Sequence, residues 1–208
     1  MLVCGVDEAG RGSMVGPLVI AGVSIKQSKL KILSQLGVRD SKKLTPLSRE
    51  KLYKKIINLA DDYSTAKLSP KQVDAFVTKH QLNYLEALHM AKIIKKLQPS
   101  VSYVDACDVN AARFGIEITM LAKTGKIKSY HHADAKFVVV SAASIIAKVT
   151  RDKAIAKLNK DYNLGSGYPS DTKTVEFVRN WFLKYGKVPD FVRKSWAPVR
   201  LLTSQPLL

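Results

Sequence analysis

The sequence predicts an α/β domain with a central mixed β-sheet flanked by helices and a small helical segment toward its C-terminal end. Three observations predict it. Short apolar runs, Leu2–Val6, Leu18–Ile25 and Val101–Val104, read as buried strands. Segments with helical apolar spacing alternate with them, most clearly Leu82–Leu97, whose apolar residues fall at 82, 85, 88, 93, 94 and 97. From about Asp171 onward the strand signal disappears.

In chain order, Leu2–Val6 is the first strand, and Asp7-Glu8 stands at its end before a Gly10-Arg11-Gly12 turn. Gly16-Pro17 marks the turn into Leu18–Ile25. After the polar loop Arg39–Lys43, Thr45-Pro46 supplies an N-cap and a first-turn proline, and Leu52, Ile56 and Leu59 continue that helix. Tyr63–Leu68 is a short strand, and Ser69-Pro70 opens another helix in the same way. Pro99 ends the Leu82–Leu97 helix, and Asp105 closes the strand Val101–Val104. Ala111–Leu121 is helical and Ile127–His131 extended. Phe137–Leu158 is a long helix rich in small residues, notably Ser141-Ala142-Ala143-Ser144. After a turn at Gly165–Ser170, Val175, Val178 and Phe182 mark a last helix that ends at Gly186. The expected organisation is a domain over 1–170 with a helical appendage over 171–208, acting as one unit.

At 46% hydrophobic and 25% charged residues, the composition is that of a soluble globular protein rather than a disordered or membrane-spanning one. Nothing resembles a secretion signal, so a cytoplasmic protein is expected. Lys and Arg number 34 against 17 Asp and Glu, a net charge of +17, so the surface attracts polyanions. The basic residues are spread along the chain and not gathered on one amphipathic face, which favours nucleic acid over a membrane surface. Cys4 and Cys107 have neither metal-ligand nor disulfide-framework spacing and read as thiols of a reducing compartment.

Four carboxylates stand out: Asp7, Glu8, Asp105 and Asp134. Each falls at the end of an expected strand or on a loop entering a helix, where α/β sheets place their ligand sites. Adjacent acids repel, so crowding them beside a buried strand calls for a cation. Carboxylates suit magnesium, and two such ions roughly 3.5–4 Å apart are the device of phosphodiester cleavage. Taken singly, Asp105 also suits a turn and Asp134 a helix cap. Arg11 suits a phosphate, and the flanking glycines allow close backbone approach.

These residues resemble a known family. Asp7–Gly12 is similar to the signature of type 2 ribonuclease H (ribonuclease HII), and Val38–Pro46 with the Gly167-Tyr168-Pro169-Ser170 turn resembles its archaeal style. The similarity continues in Asp40–Leu44, Tyr103-Val104-Asp105, His132–Ala135, Val140–Asp152, Gly165–Asp171 and Val192–Trp196, in family order over nearly the whole chain. The resemblance implies a ribonuclease H-like fold and an endoribonuclease. It would act on the RNA strand of RNA–DNA hybrids and cut 5′ of single ribonucleotides embedded in duplex DNA, leaving 3′-hydroxyl and 5′-phosphate ends. It implies Mg²⁺ or Mn²⁺, two ions per site, held by Asp7, Glu8, Asp105 and Asp134, with Asp7 bridging. It assigns Gly10, Arg11 and Gly12 to the nucleotide at the RNA-to-DNA junction and Tyr168 to reading that junction. Lys42, Lys148, Arg151, Arg193 and Lys194 are expected phosphate contacts, which would give sequence-independent, salt-sensitive affinity.

The sequence departs from the family pattern at Ser13, where many members have proline. Gln205-Pro206-Leu207-Leu208 lacks the aromatics of a sliding-clamp-binding tail, and a monomer is expected. His131-His132 is a lesser candidate for a general acid, since a paired histidine commonly faces solvent. Two rival readings remain at this point: another nuclease of the same fold group, cutting junction DNA, and a non-catalytic hybrid-binding module. Acids beside the phosphates argue against the second.

Overall fold

The computed structural model describes residues 1–38 and 45–204. Five strands form one sheet: β1 (Leu2–Ala9), β2 (Leu18–Lys26), β3 (Asp62–Leu68), β4 (Val101–Asp105) and β5 (Lys126–Tyr130), in the order β3-β2-β1-β4-β5. β1 pairs in parallel with β4, Val6 opposite Val104, and β4 pairs in parallel with β5. Parallel neighbours need crossover connections, which the helices between them provide.

The helices are α1 (Leu30–Gln35), α2 (Pro46–Leu59), α3 (Pro70–Val77), α4 (Leu82–Leu97), α5 (Ala111–Ala122), α6 (Ala133–Lys136), α7 (Val138–Tyr162), α8 (Thr172–Tyr185) and α9 (Ala197–Thr203). Their ends follow sequence chemistry. Thr45 accepts from Ser48 N–H at the start of α2, and Ser69 forms a full capping box with Gln72 at the start of α3. Asp171 caps α8, which stops at left-handed Gly186.

Contacts divide the described chain into two compact units. The first comprises 1–9, 20–66 and 83–149. Its core places helices directly on the sheet through missing side chains. A Cβ on Gly5 would lie 2.3 Å from the backbone of Val139, and one on Gly22 would lie 2.4 Å from Ile93 of α4. Ala142, Ala143 and Ala147 of α7 are fully buried, which is the use of its small-residue stretch. The second unit comprises 10–19, 67–82 and 150–208, so the C-terminal segment belongs with an N-terminal stretch. Its core is Met14, Val15, Ile155, Leu164, Val178, Val188, Val192 and Val199, with Phe177, Phe191 and Trp196 packed against it.

The differences from the sequence expectation are local. β1 runs on through Asp7 and Glu8 to Ala9, because main-chain pairing does not stop where side chains become acidic. Asp134 does not cap the long helix; it sits in the separate short turn α6. α7 extends to Tyr162, and β5 ends before His131. No described helix is long and apolar enough to cross a membrane. Cys4 is buried and its thiol is pushed up to about 12 by desolvation, which leaves it unreactive.

Candidate active site

The parallel register of β1 and β4 sets Asp7 and Asp105 at the same level of neighbouring strands, one step beyond the Val6–Val104 pair. Asp134 arrives on α6, whose Ala133 N–H donates to Asp105 Oδ1 at 2.9 Å. Ser141 of α7 hydrogen-bonds the Asp134 carbonyl from behind. Phe137, which follows α6, stacks on Tyr103 at 4.2 Å and meets Tyr130 at 5.2 Å, fixing the turn against β4 and β5. Asp7, Asp105 and Asp134 each offer a carboxylate oxygen within 4.8 Å of the others.

Asp7 is 5% exposed. Burial, reinforced by the charges of Asp105 and Asp134, pushes its carboxyl up to about 7, against the pull of hydrogen bonds from Ser144 and the Glu8 N–H. An all-oxygen, crowded carboxylate set suits a hard divalent cation, which would relieve that repulsion. Glu8 is half-buried and is not part of the three-residue group whose oxygens lie within 4.8 Å of one another. Ser144 is the site residue that sequence reasoning missed. It was legible only as one small residue among several in Ser141–Ser144, which gives no separate signal.

The second unit holds the Gly-Arg-Gly turn. Gly10 has φ +82°, and its carbonyl accepts from both the N–H and the hydroxyl of Ser13, at 3.3 and 2.9 Å. Ser13 is fully buried, so the departure from proline becomes a turn-closing hydrogen bond. Gly12 is exposed, and a Cβ there would meet nothing within 4 Å. In the same unit the Gly167 carbonyl accepts from the N–H groups of Met14 and Val15, at 2.8 and 3.2 Å. Half-buried Tyr168 follows, its ring 4.2 Å from the guanidinium of Arg151.

Arg193 requires a correction. It is fully buried, and its guanidinium donates to the carbonyls of Arg11 and Gly16. The charge is engaged by backbone, so Arg193 positions the turn and is not a direct phosphate contact. Lys148 is half-buried on α7. Lys42 lies outside the described residues. His131 and His132 are exposed; His132 precedes α6 in a left-handed conformation, φ 56°, which marks it as a turn residue.

The ribonuclease HII family model matches residues 4–199. Ribonuclease HII of Cenarchaeum symbiosum is 56% identical over 203 residues, covering 97% of this chain and 98% of that protein. The crystal structure of ribonuclease H2 from Pyrococcus horikoshii superposes with a TM-score of 0.92 at 43% identity, covering 98% and 97% of the two chains. RNase HII of Archaeoglobus fulgidus, solved in a complex with PCNA, gives 0.88 at 37% identity, covering 94% and 95%. Family match, whole-length identity and shared fold agree with the aspartates gathered on β1, β4 and α6: this chain belongs to the ribonuclease HII family and is an endonuclease of the ribonuclease H type.

Proposed function

We propose that this enzyme hydrolyses the RNA strand of RNA–DNA hybrids and also cuts 5′ of single ribonucleotides embedded in duplex DNA, leaving 3′-hydroxyl and 5′-phosphate ends. The observation that carries the reading is the convergence of Asp7, Asp105 and Asp134, each offering a carboxylate oxygen within 4.8 Å of the others. In this reading Asp7, Asp105 and Asp134 hold divalent cations, Mg²⁺ or Mn²⁺, and Glu8 completes the set for two ions. When bound, such a pair activates water and stabilises the leaving oxygen.

The remaining roles belong to protein groups alone. Gly12, exposed and open above its Cα, lets the backbone reach the shallow minor groove of an A-like hybrid, where the 2′-hydroxyl is displayed. Arg11 and Tyr168 contact the nucleotides on either side of the ribose-to-deoxyribose junction. Lys42 and Lys148 contribute phosphate affinity without sequence preference, in keeping with the net charge of +17. We propose a monomer acting in the cytoplasm on ribonucleotides left in DNA; the 205–208 segment, where a clamp-binding aromatic is missing from the sequence, lies outside the described residues.

The test is cleavage of an end-labelled DNA duplex carrying one ribonucleotide, with Mg²⁺, Mn²⁺ or chelator, beside an all-DNA duplex and the Asp7→Asn protein. Cutting just 5′ of the ribonucleotide, abolished by chelator and by the substitution, is the expected result. Cleavage of the all-DNA duplex, or full activity in Asp7→Asn, would overturn the proposal.

A further inference from the structure

Arg151 lies on α7 and is 3% exposed. Burying a guanidinium is costly unless its surroundings compensate. Its Nη2 donates to the Ser166 carbonyl at 2.6 Å, and its Nη1 lies 3.3 Å from Asp152, whose side chain is 46% exposed. Its Nε has no hydrogen-bond partner among the described residues. The remaining contacts are with the two turns. The guanidinium stacks under the Tyr168 ring at 4.2 Å. A Cβ on Gly10 would lie 3.3 Å from Arg151 Cγ, and one on Gly167 would lie 2.8 Å from its Nη2. Both turns therefore close onto this one side chain. Ile155, one helical turn further along α7, carries the same contact onward to Gly16 and Gly167.

We propose that Arg151 is a positioning residue. It is the spacer that fixes the Tyr168 ring relative to the Gly10–Gly12 turn, and so sets how strictly the enzyme demands a single ribonucleotide followed by deoxyribose. The proposal rests on the reading above that Tyr168 and this turn contact substrate. Two physical points carry it. A planar guanidinium stacks on an aromatic ring and keeps a donor for the Ser166 carbonyl at the same time, which a lysine ammonium does not do. A buried arginine, by contrast with the exposed lysines, does not act as a simple phosphate contact. Its effect on substrate runs through the ring it holds.

The experiment compares a DNA duplex carrying one ribonucleotide with a long RNA–DNA hybrid, for wild type, Arg151→Lys, Tyr168→Ala and the double variant. The readout is the ratio of kcat/KM on the two substrates, with KM and kcat separated. Arg151→Lys is expected to lower that ratio about tenfold, the scale of a lost cation–π contact with its positioned hydrogen bond. The double variant should fall no further than Tyr168→Ala. If Tyr168→Ala leaves the ratio unchanged, the substrate role of Tyr168 fails, and the positioning role fails with it. If Tyr168→Ala lowers the ratio but Arg151→Lys does not, or if the two losses multiply, the substrate reading stands and the positioning role is overturned. A loss of equal proportion on both substrates also overturns it, since that marks a purely structural arginine.

Discussion

The guanidinium of Arg193 donates through Nη1 to the main-chain carbonyl of Arg11 at 2.8 Å, joining positions 182 residues apart in sequence. Nε and Nη2 of the same group reach the Gly16 carbonyl at 3.3 and 3.2 Å. The turn that carries Arg11 is thus held at both ends by one buried charge, which also lies 5.5 Å from the Trp196 ring. Removing the guanidinium strands two carbonyls in a dry environment. Arg193→Met should lower unfolding stability by about 3 kcal/mol, the scale of charge-assisted hydrogen bonds lost with buried acceptors left over. Urea unfolding checks this, with the slope expected to stay constant. A midpoint unchanged from wild type would show that the turn does not depend on this arginine.

Asp108 holds the loop that follows Asp105. Its carboxylate accepts from the Asn110 N–H at 2.8 Å, from Asn83 at 2.9 Å and from Arg113 Nη2 at 2.6 and 2.7 Å. The Asn110 N–H first, then Arg113, hold its carboxyl down at about 2. The folded pKa is therefore below the ordinary value of 3.8. The contribution is present in full above pH 4 and is lost as the pH falls toward 2. Asp108→Asn should cost about 1–3 kcal/mol at neutral pH, as expected for hydrogen bonds to a charged group. Denaturation of the two proteins across pH 2–7 should converge at the acid end. A constant difference across that range would remove the carboxylate charge as the cause.

Asp7 has the opposite sign. Its carboxyl is raised from 3.8 to about 7, chiefly by burial and then by Asp105, so without metal the folded protein keeps a proton that the unfolded chain has released. Stability from this group is greatest at low pH, falls as pH rises from about 4 to 7 and is flat above. Full linkage sets a ceiling of about 4 kcal/mol. Asp7→Asn removes the repulsion but also the anionic acceptor for Ser144 and the Glu8 N–H, so a gain of about 2 kcal/mol at pH 8 in chelator is expected. The difference in Tm between variant and wild type, measured at pH 5 and pH 8, should be larger at pH 8. Mg²⁺ should raise the Tm of wild type at pH 8 and leave the variant unmoved. A variant less stable than wild type at pH 8 in chelator would contradict the account.

These cases also show what could be read from the sequence. Strands β1, β2 and β4 announced themselves because their apolar runs are short, each carries at least two Val, and turn residues bound them. Thr45 and Ser69 were legible as caps because the proline after each fixes the first helical turn. Asp7, Asp105 and Asp134 were each visible as acids, but their convergence was not. It depends on the strand order that sets β1 beside β4, with 97 intervening positions between Asp7 and Asp105 in the sequence. Arg193 was misread because Arg193-Lys194 has the look of a solvated basic pair, and nothing local reveals that the first member turns inward while Lys194 stays exposed. Ser144 escaped for a similar reason: a serine within an alanine-rich helix shows its partner only once the helix is packed.

Gly5 and Gly12 separate stability from substrate contact. A Cβ at Gly5 would stand 2.3 Å from both the carbonyl carbon and the oxygen of Val139, backbone atoms that cannot rotate away. Gly5→Ala must push α7 off β1, the strand that carries Asp7, and a loss of about 3 kcal/mol or more is expected, at the upper end for overpacking. Gly12 is exposed, and a Cβ there meets nothing within 4 Å, so Gly12→Ala should leave stability within about 0.5 kcal/mol of wild type. Under the proposed function it nonetheless places a methyl where the substrate backbone approaches, and KM for a duplex with one ribonucleotide should rise while the melting curve stays in place. Thermal melts and steady-state kinetics on the two variants give the contrast directly. A Gly12→Ala protein with wild-type KM would show that the turn does not approach nucleic acid at that position. An unshifted melt for Gly5→Ala would show that α7 does not seat on β1 as closely as 2.3 Å demands.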